Sequence, residues 1–124
     1  MNMSGVIKGG LVAGLLINVS EYVLNMMVIP VPEGAGGSIG FWVVYAFVMG
    51  LLTAYLYALI RPRCGAGPKT GVCAGLLVWA LHTLLPAGGM WNMGMAPDGL
   101  PLMLVWTAVE LALAGVLAGM LYSE

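Results

Sequence analysis

Three ionisable side chains, Glu21, His82 and Glu110, fall within long apolar stretches of this 124-residue sequence. On insertion scales an ionisable group in hydrocarbon costs about 2.5–3.5 kcal/mol, so each of the three needs a polar partner or water. Because imidazole titrates near neutral pH, a carboxylate paired with a histidine can relay protons. The residues therefore predict an intramembrane site for protons or a small cation. The alternative is a structural one, in which the same groups hydrogen-bond to each other or to a partner and fix helix register.

Two asparagines extend this polar pattern along the first apolar stretch. Asn18, Glu21 and Asn25 follow Gly10 and Gly14 at spacings of 4, 4, 3 and 4 residues. Positions at these spacings share one face of an α-helix. We therefore expect one helix face with glycines, which allow close packing, at one end and polar side chains at the other.

Four apolar stretches are long enough to carry these residues through a bilayer, since a spanning helix needs about 20 apolar residues. The predicted helices cover residues 4–29, 39–60, 68–87 and 100–122. Proline and glycine clusters follow the first and third stretches and are expected to end them. The sequence thus predicts an all-α integral membrane protein, a four-transmembrane-helix bundle forming a single domain over residues 1–124.

The composition agrees with a membrane protein and excludes nucleic acid as a partner. The chain is 61% hydrophobic and 7% charged, whereas about 25% of residues are charged in a soluble domain. Such a surface must be covered by the lipid bilayer, by other transmembrane subunits or by copies of the same chain. With a net charge of −1 and four basic residues, it offers no basic patch for nucleic acid.

The basic residues predict how the helices are oriented. Lys8 lies at the start of the first apolar stretch, and Arg61, Arg63 and Lys69 flank the connection between the second and third stretches. Under the positive-inside rule, both termini and this middle loop are cytoplasmic, in a bacterial-type inner (plasma) membrane. The first apolar stretch continues to about Ile29 without an A-x-A-like cleavage site, which favours a retained helix over a signal peptide.

The two halves of the sequence resemble each other. Residues 10–16 (GLVAGLL) match residues 71–77 (GVCAGLL) at an offset of 61, which aligns Glu21 with His82. Both halves begin on the same side, so residues 5–63 and 66–124 would be parallel two-helix repeats, as in some transporter folds. Alternatively, helices rich in Gly, Ala and Leu resemble one another through composition alone.

Small residues are predicted to mediate helix packing. Three G-x-x-x-G spacings stand out, formed by Gly10 and Gly14, by Gly71 and Gly75, and by Gly115 and Gly119. This spacing lets two helix backbones approach closely in a membrane, where dispersion rather than water exclusion drives association. We therefore expect these glycines to lie at helix–helix contacts.

A methionine cluster suggests one metal. Met90, Met93 and Met95 follow the third stretch, and thioethers are soft ligands that suit Cu(I). The alternative is that these methionines fill irregular gaps or adapt to a partner surface. No other cofactor is predicted, although a bound lipid, quinone or pigment stays compatible with the sequence because such sites can be almost wholly apolar.

No catalytic motif is present, neither a zinc-protease HExxH nor a GxSxG elbow nor a phosphate-binding P-loop. We therefore expect a non-enzymatic membrane protein. Of the functions that remain, the sequence favours an accessory, packing subunit of a larger inner-membrane complex. The alternative is a homo-oligomeric transporter or channel for protons or a small cation, Cu(I) included, that uses the intramembrane Glu and His side chains.

Overall fold

The computed structural model describes residues 2–28, 37–96 and 98–122, and it is helical throughout these ranges apart from turns. The α-helices are α1 (Met3–Val23), α2 (Ile39–Cys64), α3 (Pro68–Trp79), α4 (Leu85–Asn92) and α5 (Leu100–Leu121). A first π-helical segment, Leu24–Val28, continues α1, and a second, Ala80–Leu84, joins α3 to α4.

These elements form four long helices, each apolar and long enough to cross a membrane. They cover Met3–Met27, Ile39–Cys64, Pro68–Asn92 and Leu100–Leu121. The prediction of an all-helical chain with four helices of spanning length is therefore confirmed at this level.

Local sequence explains where the helices begin. The Asn2 side chain accepts a hydrogen bond from the Gly5 N–H, and the Ser38 side chain accepts one from Phe41 N–H. Pro68 opens α3 in the first helical turn, where its missing N–H has no intrahelical partner to lose. These local cues lie in the sequence itself. The predicted starts of the second, third and fourth long helices, at residues 39, 68 and 100, agree with the observed ones.

Two helices run further than expected. α2 continues through Pro62 to Cys64 instead of stopping near residue 60, and the third long helix passes Pro86 and reaches Asn92 instead of residue 87. The second π segment lies directly before Pro86, with the Leu85 N–H bonded to the Ala80 carbonyl. A local π turn re-pairs the backbone around a proline, so the helix is not broken there. The predicted end of the first helix, at residue 29, lies outside the described residues.

The helices pack as two hairpins. α1 pairs closely with α2, and α3 pairs closely with α5; α1 also lies against α5, while α2 lies against α3 and α5. The buried centre is built mainly of small side chains: Ala13, Ala54, Ala74, Ala114 and Ala118. Small side chains permit short distances between helix axes, which in lipid is the main source of attraction.

Glycines lie at the crossing point of each hairpin. In the first, a Cβ atom on Gly50 would lie 2.5 Å from the Gly10 carbonyl oxygen and 2.6 Å from the Gly14 Cα. In the second, a Cβ atom on Gly71 would lie 2.6 Å from the Gly115 carbonyl oxygen. Gly75 and Gly119 also lie at contacts between helices, Gly75 against the backbone at Leu111 and Gly119 against the ring of Tyr57.

Two tyrosines tie the chain together at one end of the bundle. The Asn2 N–H donates to the Tyr122 hydroxyl at 3.0 Å, and the Gly67 N–H donates to the Tyr57 hydroxyl at 3.1 Å. The two rings meet edge to face at 5.8 Å, and the Arg61 guanidinium lies 5.6 Å from the centre of the Tyr122 ring. Residue 2, residue 122 and the turn between α2 and α3 therefore share one end.

Candidate functional site

Glu110 is the most deeply buried acidic side chain of the described residues. It lies in the middle of α5 with only 5% of its surface exposed. Its carboxyl group adjoins the carboxyl of Glu21 and the hydroxyl of Ser20 on α1. Its Oε1 atom nevertheless has no hydrogen-bond partner among the described residues. Buried polar atoms in proteins are nearly always paired, so this one calls for a chemical explanation.

Glu21 forms the other half of this carboxyl pair. Its side chain is half-buried, and the Asn25 amide donates to Glu21 Oε2 at 3.3 Å and to the Glu21 backbone carbonyl at 2.9 Å. Asn25 itself lies in the first π segment, one turn further along. The Glu21 carboxyl is thus held by Asn25 on its own helix while it faces Glu110 on α5.

Two indole hydrogen bonds fix α5 beside this carboxyl pair. The Trp106 Nε1–H donates to the Ser20 hydroxyl at 2.9 Å and connects α5 to α1. The Trp79 Nε1–H donates to the Thr107 hydroxyl at 3.1 Å and connects α3 to α5. Both bonds lie about one helical turn from Glu110, so they hold its backbone in a defined position across the bundle.

His82 has other partners than the predicted one. Its Nε2 atom hydrogen-bonds with the Tyr45 hydroxyl on α2, and its Nδ1 atom lies 3.2 Å from the Thr83 hydroxyl. Glu21 acts on His82 through its charge, without a direct hydrogen bond between the two among the described contacts. The imidazole is exposed on the outside of the bundle. The three predicted ionisable residues therefore separate into a carboxyl pair and a histidine–tyrosine pair.

Asn18 contacts a different helix from Glu21, although the spacing of the two residues places them on one face of α1. Its amide donates to the Gly14 carbonyl at 3.0 Å and lies 3.5 Å from the Val43 carbonyl on α2. It therefore links α1 to α2, whereas Glu21 meets α5. The polar residues of the first helix have the spacing of one helix face, but their side chains contact two different neighbouring helices.

Both polar pairs lie on or beside π turns. Asn25 belongs to the first π segment and Glu21 precedes it by three residues, while His82 and Thr83 belong to the second. Single π turns within α-helices occur frequently at functional sites, since they re-aim side chains and loosen backbone pairing. Neither segment carries a sequence pattern that marked it in advance. Tyr45, Ser20 and Trp106 were likewise missed, because none of them stands in a recognisable motif.

A shallow groove lies next to His82, between α2 and the third long helix. Its volume is about 380 Å³. The lining side chains are apolar apart from the imidazole: Met49, Leu52, Leu56, Val78, Leu81 and His82. The groove thus places one polar group within an otherwise apolar outer surface.

The three methionines of the copper hypothesis lie close together in sequence and structure. Met90 is partly buried in α4, whereas Met93 and Met95 are 63% and 66% exposed in the turn that follows. The Met95 N–H donates to the Met90 carbonyl at 2.9 Å, which folds the turn back on the helix end. Across the described residues no three His, Cys, Asp or Glu side chains group as metal ligands. A Cu(I) site would depend on the thioethers and stays a prediction.

The described contacts thus give two chemical units, a buried pair of carboxyl groups and an exposed imidazole held by a phenol. The first can bind a positive charge or a proton, and the second presents a polar group to whatever surrounds the bundle. No family model, no curated protein and no solved structure matches the chain, so its function has to be inferred from these two units.

Proposed function

We propose that the protein is a non-enzymatic, multi-pass protein of a bacterial-type inner membrane, with both termini cytoplasmic. Support comes from one end of the bundle, where Tyr122 hydrogen-bonds to residue 2 and Tyr57 hydrogen-bonds to the α2–α3 turn. Arg61 lies in that cluster, and Arg63 and Lys69 flank the same turn. The positive-inside rule orients such an end toward the cytoplasm.

Within that membrane, the protein serves as an accessory subunit that packs against other transmembrane chains. The observation that carries this proposal is the exposure of His82 halfway along the third long helix, beside the groove between α2 and α3. The Tyr45 and Thr83 hydroxyls bond to its ring nitrogens, yet the imidazole stays exposed on a surface that would face lipid, where a polar group is costly. A transmembrane helix lying in the groove would cover the imidazole and the apolar side chains around it.

The two hairpins are proposed to be parallel repeats of one ancestral unit. Their crossing points support this, because Gly50 lies over Gly10 and Gly14, and Gly115 lies over Gly71 and Gly75. Both hairpins thus cross at glycines, although Gly115 lies about one helical turn beyond Leu111, the residue that the 61-residue offset aligns with Gly50.

A second candidate function is a homo-oligomeric carrier or channel for protons or a small cation. The specific observation in its favour is the Glu21–Glu110 carboxyl pair, in which one buried oxygen lacks a hydrogen-bond partner. Carboxylates inside membrane bundles often mark ion or proton pathways. A bundle of four helices would need further copies to enclose a complete path.

Purification in mild detergent, followed by mass spectrometry of the intact particle, distinguishes these functions. A stoichiometric complex with a different membrane protein is expected for the accessory subunit. His82→Phe, which keeps an aromatic ring but removes both nitrogens, should weaken that complex. Leu59→Phe is the matched control, because Leu59 is 49% exposed on α2 and does not line the groove.

Particles that contain only this chain would show the accessory-subunit proposal to be wrong. In that case, Glu21→Gln tests the second candidate by ion flux into proteoliposomes. Loss of flux with the oligomer intact supports a carrier, whereas unchanged flux, or no flux in the wild type, rejects it.

A further inference from the structure

We propose that Glu21 and Glu110 form a proton-binding site in which one proton is shared between the two carboxyl groups. The pair joins Glu110, in the middle of α5, to Glu21 near the end of α1 that is remote from the cytoplasmic end proposed above. Its ligand is a proton and not a metal ion. The site can exist whether the chain acts as a subunit or as a carrier, because proton binding requires neither a partner nor transport.

Electrostatic repulsion between the two carboxyl groups favours a shared proton. Two ionised carboxyl groups in contact repel each other, and the repulsion is strong where water is scarce. No basic side chain is near enough to offset it, since the four Lys and Arg side chains lie toward the opposite end. Lys8, on the same helix as Glu21, is about 20 Å away along the helix axis at 1.5 Å per residue. A single proton removes the repulsion while the pair keeps one negative charge.

The carboxyl group of Glu110 also lacks a hydrogen-bond donor at one oxygen. Ionised carboxylates only accept hydrogen bonds, and the Asn25 amide already donates to Glu21 Oε2. Glu110 Oε1 is left without a donor although the side chain is 95% buried. A proton on either carboxyl supplies an O–H group between the two residues. Such a bond, from a neutral acid to a carboxylate, is short and strong.

The surrounding elements supply few groups that could compete for this proton. His82, in the second π segment, forms no described hydrogen bond with either carboxyl group, and Tyr45 on α2 hydrogen-bonds with it instead. Tyr22, next to Glu21 on α1, is 60% exposed, and α4 carries no ionisable side chain.

Infrared difference spectroscopy of the purified full-length chain in lipid nanodiscs tests the proposal. At neutral pH the wild type is expected to show the carbonyl stretching band of one neutral carboxylic acid per chain. Glu110→Gln should abolish the band, because Glu21 is half-buried and then has no second carboxyl beside it. Glu21→Gln should move the band to higher frequency, because an amide oxygen accepts the O–H bond less strongly than a carboxylate does.

Asp98→Asn is the matched control, since Asp98 lies exposed in the turn before α5. It should leave the band unchanged. A lipid-soluble carbodiimide, which modifies neutral carboxyl groups, should add once per chain at Glu21 or Glu110 in the wild type. Circular dichroism checks that each variant keeps its helices, and if Glu110→Gln does not fold, Glu21→Gln still decides.

Three results would overturn the proposal. The wild type could show no neutral carboxyl group at neutral pH. The band could stay at the same frequency in Glu21→Gln, which would mean that Glu110 holds its proton alone. Sodium ions could remove the band and block carbodiimide labelling, in which case the pair binds a metal cation and not a proton.

Discussion

Replacing Gly71 by alanine should force α3 and α5 apart. The added Cβ would lie 2.6 Å from the Gly115 carbonyl oxygen and 2.8 Å from the Val116 Cα, whereas ordinary contact begins at 3.4 Å. The shortfall on the oxygen is about 0.8 Å, and both obstructing atoms belong to the backbone. No side chain can rotate away, so one helix must move. Overpacking of this kind typically costs about 1–3 kcal/mol.

Gly89→Ala isolates this steric cost. Gly89 is also helical, but a Cβ atom there would meet nothing within 4 Å. Both substitutions gain the higher helix propensity of alanine, about 1 kcal/mol, so the difference between the two variants reports on the crossing alone. We expect Gly71→Ala to be less stable than Gly89→Ala by about 1–3 kcal/mol, a roughly 5- to 150-fold difference in the unfolding equilibrium constant.

The measurement is reversible unfolding in mixed micelles by titration with a denaturing detergent, followed by far-ultraviolet circular dichroism. The free energies are extrapolated to zero denaturing detergent for both variants and for the wild type. If the two variants agree within about 0.5 kcal/mol, the backbones do not meet at Gly71 and the packing described for the second hairpin is wrong.

Three further outcomes can be measured on the same preparation. Tyr57→Phe removes the hydroxyl that accepts the Gly67 N–H and should lower the unfolding free energy by about 1 kcal/mol. Tyr55→Phe, at a tyrosine that is 41% exposed, should leave the unfolding free energy unchanged. Equal effects of the two substitutions would contradict the tyrosine cluster. Trp79→Phe removes the hydrogen bond to Thr107 and should also lower the unfolding free energy by about 1 kcal/mol. A double-mutant cycle with Thr107→Val should show coupling between the two positions, and its absence would mean that the hydrogen bond is not formed. Replacement of Met90, Met93 and Met95 by leucine should abolish Cu(I) binding without destabilising the chain, and an unchanged affinity in a competition titration would end the copper hypothesis.

The fold followed from the sequence where the determining interactions are local. Apolar length alone predicted four helices, and the structure shows local interactions at two of their starts, the Ser38 side-chain cap of α2 and Pro68 in the first turn of the third long helix. The end of that third helix could not be predicted in the same way. Pro86 breaks helices in water, but here the π turn before it preserves the backbone pairing, and π turns leave no periodic trace in a sequence.

The sequence predicted which residues form the candidate site but not which of them contact each other. Glu21, His82 and Glu110 stood out because ionisable groups are rare in apolar stretches. Which of them meet depends on the angles at which helices cross, and those are set by distant contacts such as Gly71 against Gly115. Aligning the two halves paired Glu21 with His82, yet an alignment compares equivalent positions and says nothing about contact. The interaction between Glu21 and Glu110 could only be seen in three dimensions.

The two glycine crossings have a consequence for biosynthesis. Gly10 and Gly50 are 40 residues apart, and Gly71 and Gly115 are 44 apart, whereas the hydrogen bond from Asn2 to Tyr122 joins residues 120 apart. Each hairpin can therefore close as soon as its second helix leaves the ribosome, and the Asn2–Tyr122 bond can form only when synthesis has passed all four helices. Assembly then resembles the docking of two preformed units. A chain cut at the exposed Ala66 and expressed as two fragments should recombine in the membrane.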